Sequence, residues 1–118
     1  MHHNEAALRK LVMEWEVALK GERAAMRNFD GVSRSRDSLR RSLVQEQGMT
    51  PERATETENA IFAEASANYS IALDSRAKID LEILKATNHE PAAMALAALL
   101  KREALERLAA GMLPAVTL

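Results

Sequence analysis

The 118-residue chain contains no cysteine. That removes disulfides, thiolate metal sites and cysteine nucleophiles together, and it fits a reducing compartment. Aromatic residues are nearly as scarce, with Trp15, Phe29, Phe62 and Tyr69 the only four. Glycine (4) and proline (3) are few and fall mostly where helices should stop. No apolar run reaches the roughly 18 residues that a membrane-spanning helix needs. The first ten residues are polar and lack the apolar segment of a secretory signal, so the cytoplasm is the expected location. Net charge is −1 with acids and bases interspersed, which gives no global attraction to nucleic acid or to an anionic membrane.

Catalytic patterns are also missing. The histidines are His2, His3 and His89. His3, third from a free amino terminus, has the placement for copper or nickel chelation, against the plainer reading of a frayed end. His89 lies in an expected turn with no second histidine one helical turn away, as a helix-borne metal site requires. Ser33, Ser35, Ser38 and Ser42 crowd into an arginine-rich stretch with no histidine nearby in sequence to act as base. There is no glycine-rich phosphate loop and no Glu-x-x-His pair, and Glu14 and Glu16 point to different sides of a helix. The expectation is a protein that is not an enzyme and uses no metal or cofactor.

What the chain does have is alanine, 22 residues of it, within an apolar fraction of 47%. Alanine is the best helix former and contributes little buried area, so closely packed helices with thin seams are expected. Asn4 is placed to cap a first helix, over about 5–46, whose seam runs through Leu8, Leu11, Val12, Trp15, Leu19, Met26, Phe29, Val32, Leu39 and Leu43. Gly21 and Gly31 interrupt that seam; continuity through Gly31 is the reading adopted. Gly48 suits a C-terminal cap, and Thr50-Pro51-Glu52 opens a second helix over about 51–86 with proline at its first position. Its stripe holds Ile61, Ala65, Asn68, Ala72, Ile79 and Ile83, flanked by Phe62, Tyr69, Leu73, Leu81 and Leu84. Asn68 in that stripe, if buried, would need partners and would fix helix register. Asn88-His89-Glu90-Pro91 marks a second boundary before a third helix over about 91–110, which should end at Gly111 and cannot pass Pro114. Asp74 to Lys78 and Glu103 to Arg107 are spaced as helical ion pairs. The expected class is all-α: one domain holding an antiparallel hairpin of two long helices plus a shorter C-terminal helix, as a three-helix bundle or an extended coiled-coil-like form. Such a thin core commonly associates with another copy or a partner helix.

Two segments invite a functional reading. Ser33 to Arg41 carries Arg34, Arg36, Arg40 and Arg41, candidate phosphate contacts whose cations surround the helix and lack interleaved aromatics. A solvated, salt-bridged face is the plainer reading. Ala92 to Leu100 is apolar on every side, which means burial between the long helices or a surface held open for a partner. Met94, Leu96, Leu99, Leu100, Leu105 and Leu108 are the candidate partner-binding residues, with the methionines Met94 and Met112 suited to varied surfaces.

Trp15 to Glu22, with its glycine at position 21, then Arg36 to Leu43 with spaced leucines, then Asn68 on the following helix, together resemble the FlgN-like family of flagellar and type III export chaperones. The likeness covers roughly residues 8 to 73 and departs from the family in its short C-terminus and dense arginine segment. It implies a non-enzymatic cytoplasmic chaperone that binds an amphipathic segment of its export substrate by helix packing. The leading expectation is therefore capture of a partner protein's amphipathic helix, with homo-oligomer formation and no membrane contact. The alternatives are a nucleic-acid-associated oligomeric subunit, as in viral packaging or an RNA-guided complex, and a structural virion or appendage component.

Overall fold

The computed structural model describes residues 2–112, with side chains over 5–111. Among the described residues there are four α-helices and no strand: α1 (His2–Arg34), α2 (Arg36–Gln45), α3 (Pro51–Thr87) and α4 (Pro91–Met112). The described residues are all-α: two long helical stretches, α1 with α2 and then α3, followed by the shorter C-terminal helix α4. The side chains of His2, His3, Asn4 and Met112, and Pro114 itself, lie outside what is described. α1 begins at His2, so Asn4 stands within its first turn and not at its cap.

The first arm, expected as one helix over 5–46, is divided between α1 and α2 at Ser35 and runs unbroken through Gly31. The Ser35 amide donates to both the Gly31 carbonyl (3.1 Å) and the Val32 carbonyl (3.2 Å), tightening one turn, with φ −100° and ψ 5° at that residue. Ser35 then accepts from the Leu39 amide at 2.8 Å, so the path resumes at once. The arm ends where expected: Gly48 has φ +69°, and the Met49 amide reaches back to the Leu43 carbonyl at 3.0 Å. Thr50 caps α3, its hydroxyl accepting from the Arg53 amide at 3.3 Å and its carbonyl from the Ala54 amide at 2.9 Å. The turn before α4 places Asn88 and His89 at φ 51° and 58°. There Thr87, buried, donates from its hydroxyl to the Leu84 carbonyl at 2.7 Å. α4 continues through Gly111, which keeps helical geometry and does not stop it.

The described residues group into two compact units: residues 2–21 with 74–112, and residues 22–73. In the first, Leu8, Val12, Trp15 and Leu19 of α1 meet Ile79, Ile83 and Ala86 of α3 and Ala93, Ala97, Leu100, Ala104 and Leu108 of α4. Spacings of three and four set these on one side of each helix, and the alanines of α4 leave little between the backbones. Burying Leu8 completely contributes about 1.5 to 3 kcal/mol. Lys101 holds Asp80 at 2.8 Å, with its ammonium 5.2 Å from the Trp15 ring centre.

The second unit has a different interior. Its buried apolar residues are the small Ala54 and Ala65, and Glu22 and Glu58 are buried among them. Phe29 lies 5.4 Å from Phe62 and 5.7 Å from Tyr69, centre to centre, and all three rings are half-buried. Asn68, expected in the stripe, is exposed and sets no register. The buried polar residue of α3 in this unit is Glu58.

Candidate functional site

α4 has two unlike sides. From Pro91 to Leu100 it carries no charge, so no ionised side chain turns that stretch toward water. Ala93, Ala97, Leu100, Ala104 and Leu108 face the core of the first unit, with Leu96 half-buried against it. Met94, Leu99 and Leu105 remain open at 44%, 43% and 39% exposure. At about 100° per residue, Met94 and Leu105 share one side and Leu99 stands around the helix from them, with exposed Ala95 and Ala98 between. The six candidate partner-binding residues thus divide: Met94, Leu99 and Leu105 are available, whereas Leu96, Leu100 and Leu108 hold α4 in place. The apolar run is neither enclosed nor free.

Beside α4 lies a groove of about 370 Å³ with Val12, Met13 and Leu100 among its apolar walls. At its edge Arg107 donates to Glu16 at 2.7 Å. That hydrogen bond, with the guanidinium charge, holds the Glu16 carboxyl below its ordinary pKa and raises that of Arg107. Arg107 therefore pairs across to α1 and forms no salt bridge with Glu103, the partner its spacing suggested. The groove is half apolar and half an ion pair, suited to a side chain projecting from something laid along α4.

The arginine segment is largely absorbed by the second unit. Arg36 donates to Glu58 at 2.6 Å and to Asn59 at 2.9 Å, with its guanidinium 4.2 Å from the centre of the Phe62 ring. Arg40 pairs with Asp37, and its Nε lies 3.4 Å from the other Glu58 oxygen without hydrogen-bond geometry. Arg34 pairs with Asp30 at 3.0 Å, and Arg41 donates weakly to the Asp37 carbonyl at 3.4 Å. Arg34, Arg36 and Arg40 do line a polar cleft of about 410 Å³, yet Asp37 and Glu58 line it too. An anion entering there would meet two carboxylates.

Glu58 is the functional-looking residue that reading the sequence overlooked. Its signal was its place: four residues after Ala54 and four before Phe62, an acid on the inward stripe of α3. His89 is an exposed turn residue, and Ser42 donates to Glu46 at 2.9 Å. Among the described residues no cluster of three potential metal ligands occurs, and no helix is long and apolar enough to cross a membrane.

Fold and site together define a class, an all-α helical protein whose last helix keeps one apolar side open. Comparison with protein-family models, with curated proteins and with solved structures gives no match.

Proposed function

We propose that this is a non-enzymatic helical binding protein, of export-chaperone or assembly type, that captures an amphipathic helix of a partner protein on the open side of α4. The observation that carries the reading is the division of α4: Leu100 and Leu108 fix it to the protein while Met94, Leu99 and Leu105 face solvent with no charge among the first ten residues. An amphipathic helix recognises such a surface through residues at spacings of three and four. Methionine at position 94 adapts to different partner side chains. The likeness of residues 8 to 73 to FlgN-like chaperones adds the export part of this reading and, with it, a cytoplasmic setting. A nucleic-acid role is the weaker alternative, because Arg36 and Arg40 are occupied with Glu58.

The test compares the wild-type protein with Met94→Asp/Leu99→Asp/Leu105→Asp as bait in extracts of the source cell. The protein held by the wild type should show a protected amphipathic segment in hydrogen exchange and should be lost with the triple variant, while far-ultraviolet circular dichroism stays helical. Equal retention by both baits would overturn the reading. Steeply salt-dependent binding to RNA or DNA, lost on neutralising Arg34 and Arg41, would favour the alternative.

A further inference from the structure

The outward sides of α1 and α3 carry one spacing pattern twice. On α1, Ala6, Lys10, Met13, Val17 and Lys20 follow at four, three, four and three residues, and all are exposed. On α3, Ala60, Glu64, Ala67, Ile71 and Asp74 repeat those steps, and all are exposed as well. A four-three repeat keeps side chains on one strip and is the spacing by which two helices interlock. Neither strip serves the protein's own core, since α1 buries Leu8, Val12, Trp15 and Leu19, and α3 buries Ala54, Ala65 and Ile83. Val17, Met13 and Ile71, at 71%, 66% and 64%, are the most exposed large apolar side chains among the described residues. All three fall on these strips.

The charges differ in sign at matching places. The second and fifth positions are Lys10 and Lys20 on α1, Glu64 and Asp74 on α3. Among the described residues none of the four enters a salt bridge, although Lys20 adds to the field that lowers the Glu16 pKa. Set parallel and in step, the strips pair Ala6 with Ala60, Lys10 with Glu64, Met13 with Ala67, Val17 with Ile71 and Lys20 with Asp74. A long methionine then meets a short alanine, and each cation meets an anion. Sliding α3 by one seven-residue repeat, or reversing it, sets Lys10 against Ile71 and loses the match. Charges within a helix seam select register and partner in this way.

We propose that the chain associates with a second copy of itself through α1 of one and α3 of the other, parallel and in this register. The contact is heterologous, so a single pairing leaves one strip on each copy to be engaged in turn. It shares Met13 with the groove beside α4 but uses none of Met94, Leu99 and Leu105.

The test is sedimentation velocity over the micromolar range. The wild-type mass should rise above the 13.0 kDa protomer with concentration. Lys10→Glu/Lys20→Asp makes both strips acidic, and Glu64→Lys/Asp74→Lys makes both basic. Each alone should associate at least about tenfold more weakly, with helicity retained in circular dichroism. Mixed in equal amounts, the two variants again present opposite signs and should recover association. The Met94→Asp/Leu99→Asp/Leu105→Asp protein should associate as the wild type does, so this contact and partner capture fail independently. A wild type that keeps protomer mass throughout, reversals without effect, or a mixture that stays monomeric overturns the proposal.

Discussion

Gly48 and Gly31 have equal room around them and opposite backbones. A Cβ built at either position meets nothing within 4 Å, so sterics beyond the residue itself decide nothing. Gly48 sits at φ +69°, where an L side chain crowds its own carbonyl. Gly31 is an ordinary helical residue, where alanine lowers the entropy of the unfolded chain. Gly48→Ala should therefore cost about 1 kcal/mol in urea unfolding, and Gly31→Ala should add about 0.5 to 1 kcal/mol. Equal effects in the two variants would contradict the turn geometry described. A third residue-scale expectation concerns Glu16. Because Arg107 lowers its pKa in the folded state, the pair stabilises the fold above the ordinary carboxylate range and stops doing so as pH falls through the lowered value. Arg107→Gln should return the Glu16 pKa upward, seen by NMR titration, and should weaken the fold at neutral pH but not in strong acid.

At the scale of elements, the inner helix boundaries were legible because local chemistry fixes them, whereas Asn4 does not cap α1 and Gly111 does not stop α4. Thr50 and Pro51 start α3 with a side-chain cap, Gly48 ends the first arm in left-handed geometry, and Pro91 opens α4. Ser35 was not legible: its interruption comes from an amide shared between two carbonyls, and serine is compatible with unbroken helix as well. The inward side of α3 was read only in part, for a related reason: Ala65 and Ile83 are buried as expected, and the buried acid was missed. Helical spacing from the apolar residues favours Ile61 and the position of Asn68, both of which are exposed, over Glu58, which is 2% exposed. An acid is not counted in a hydrophobic stripe, and only a cation from another helix makes its burial tolerable. Arg36 and Arg40 supply that cation, so the arginine segment and the acid explain one another across α2 and α3. Glu58→Gln should then cost about 1 to 3 kcal/mol in urea unfolding, less than a fully buried pair would, because both guanidinium groups still reach water. Glu58→Gln matching the wild type would mean that the ion pairs contribute only contact, with no net stability.

For the molecule as a whole, the question is how a chain with so thin a core holds α4 and still leaves part of it open. Alanine supplies the answer on the buried side. Ala93, Ala97 and Ala104 sit against the helices of the first unit, and the large contributions there come from Leu100 and Leu108. Truncating either leucine leaves a hole among neighbours that are already small, at about 2 to 3 kcal/mol each. Leu99 and Leu105 lose little on truncation, within about 0.5 kcal/mol, because water already reaches them. Leu99→Ala/Leu105→Ala should therefore unfold at the wild-type urea midpoint and yet hold less partner, whereas Leu100→Ala and Leu108→Ala should lower the midpoint and lose partner only as the fold is lost. The separation matters because stability and capture are otherwise easily confused in a small helical protein. If Leu99→Ala/Leu105→Ala lowered the midpoint as far as Leu100→Ala does, those side chains would be core, and α4 would present no binding surface at all.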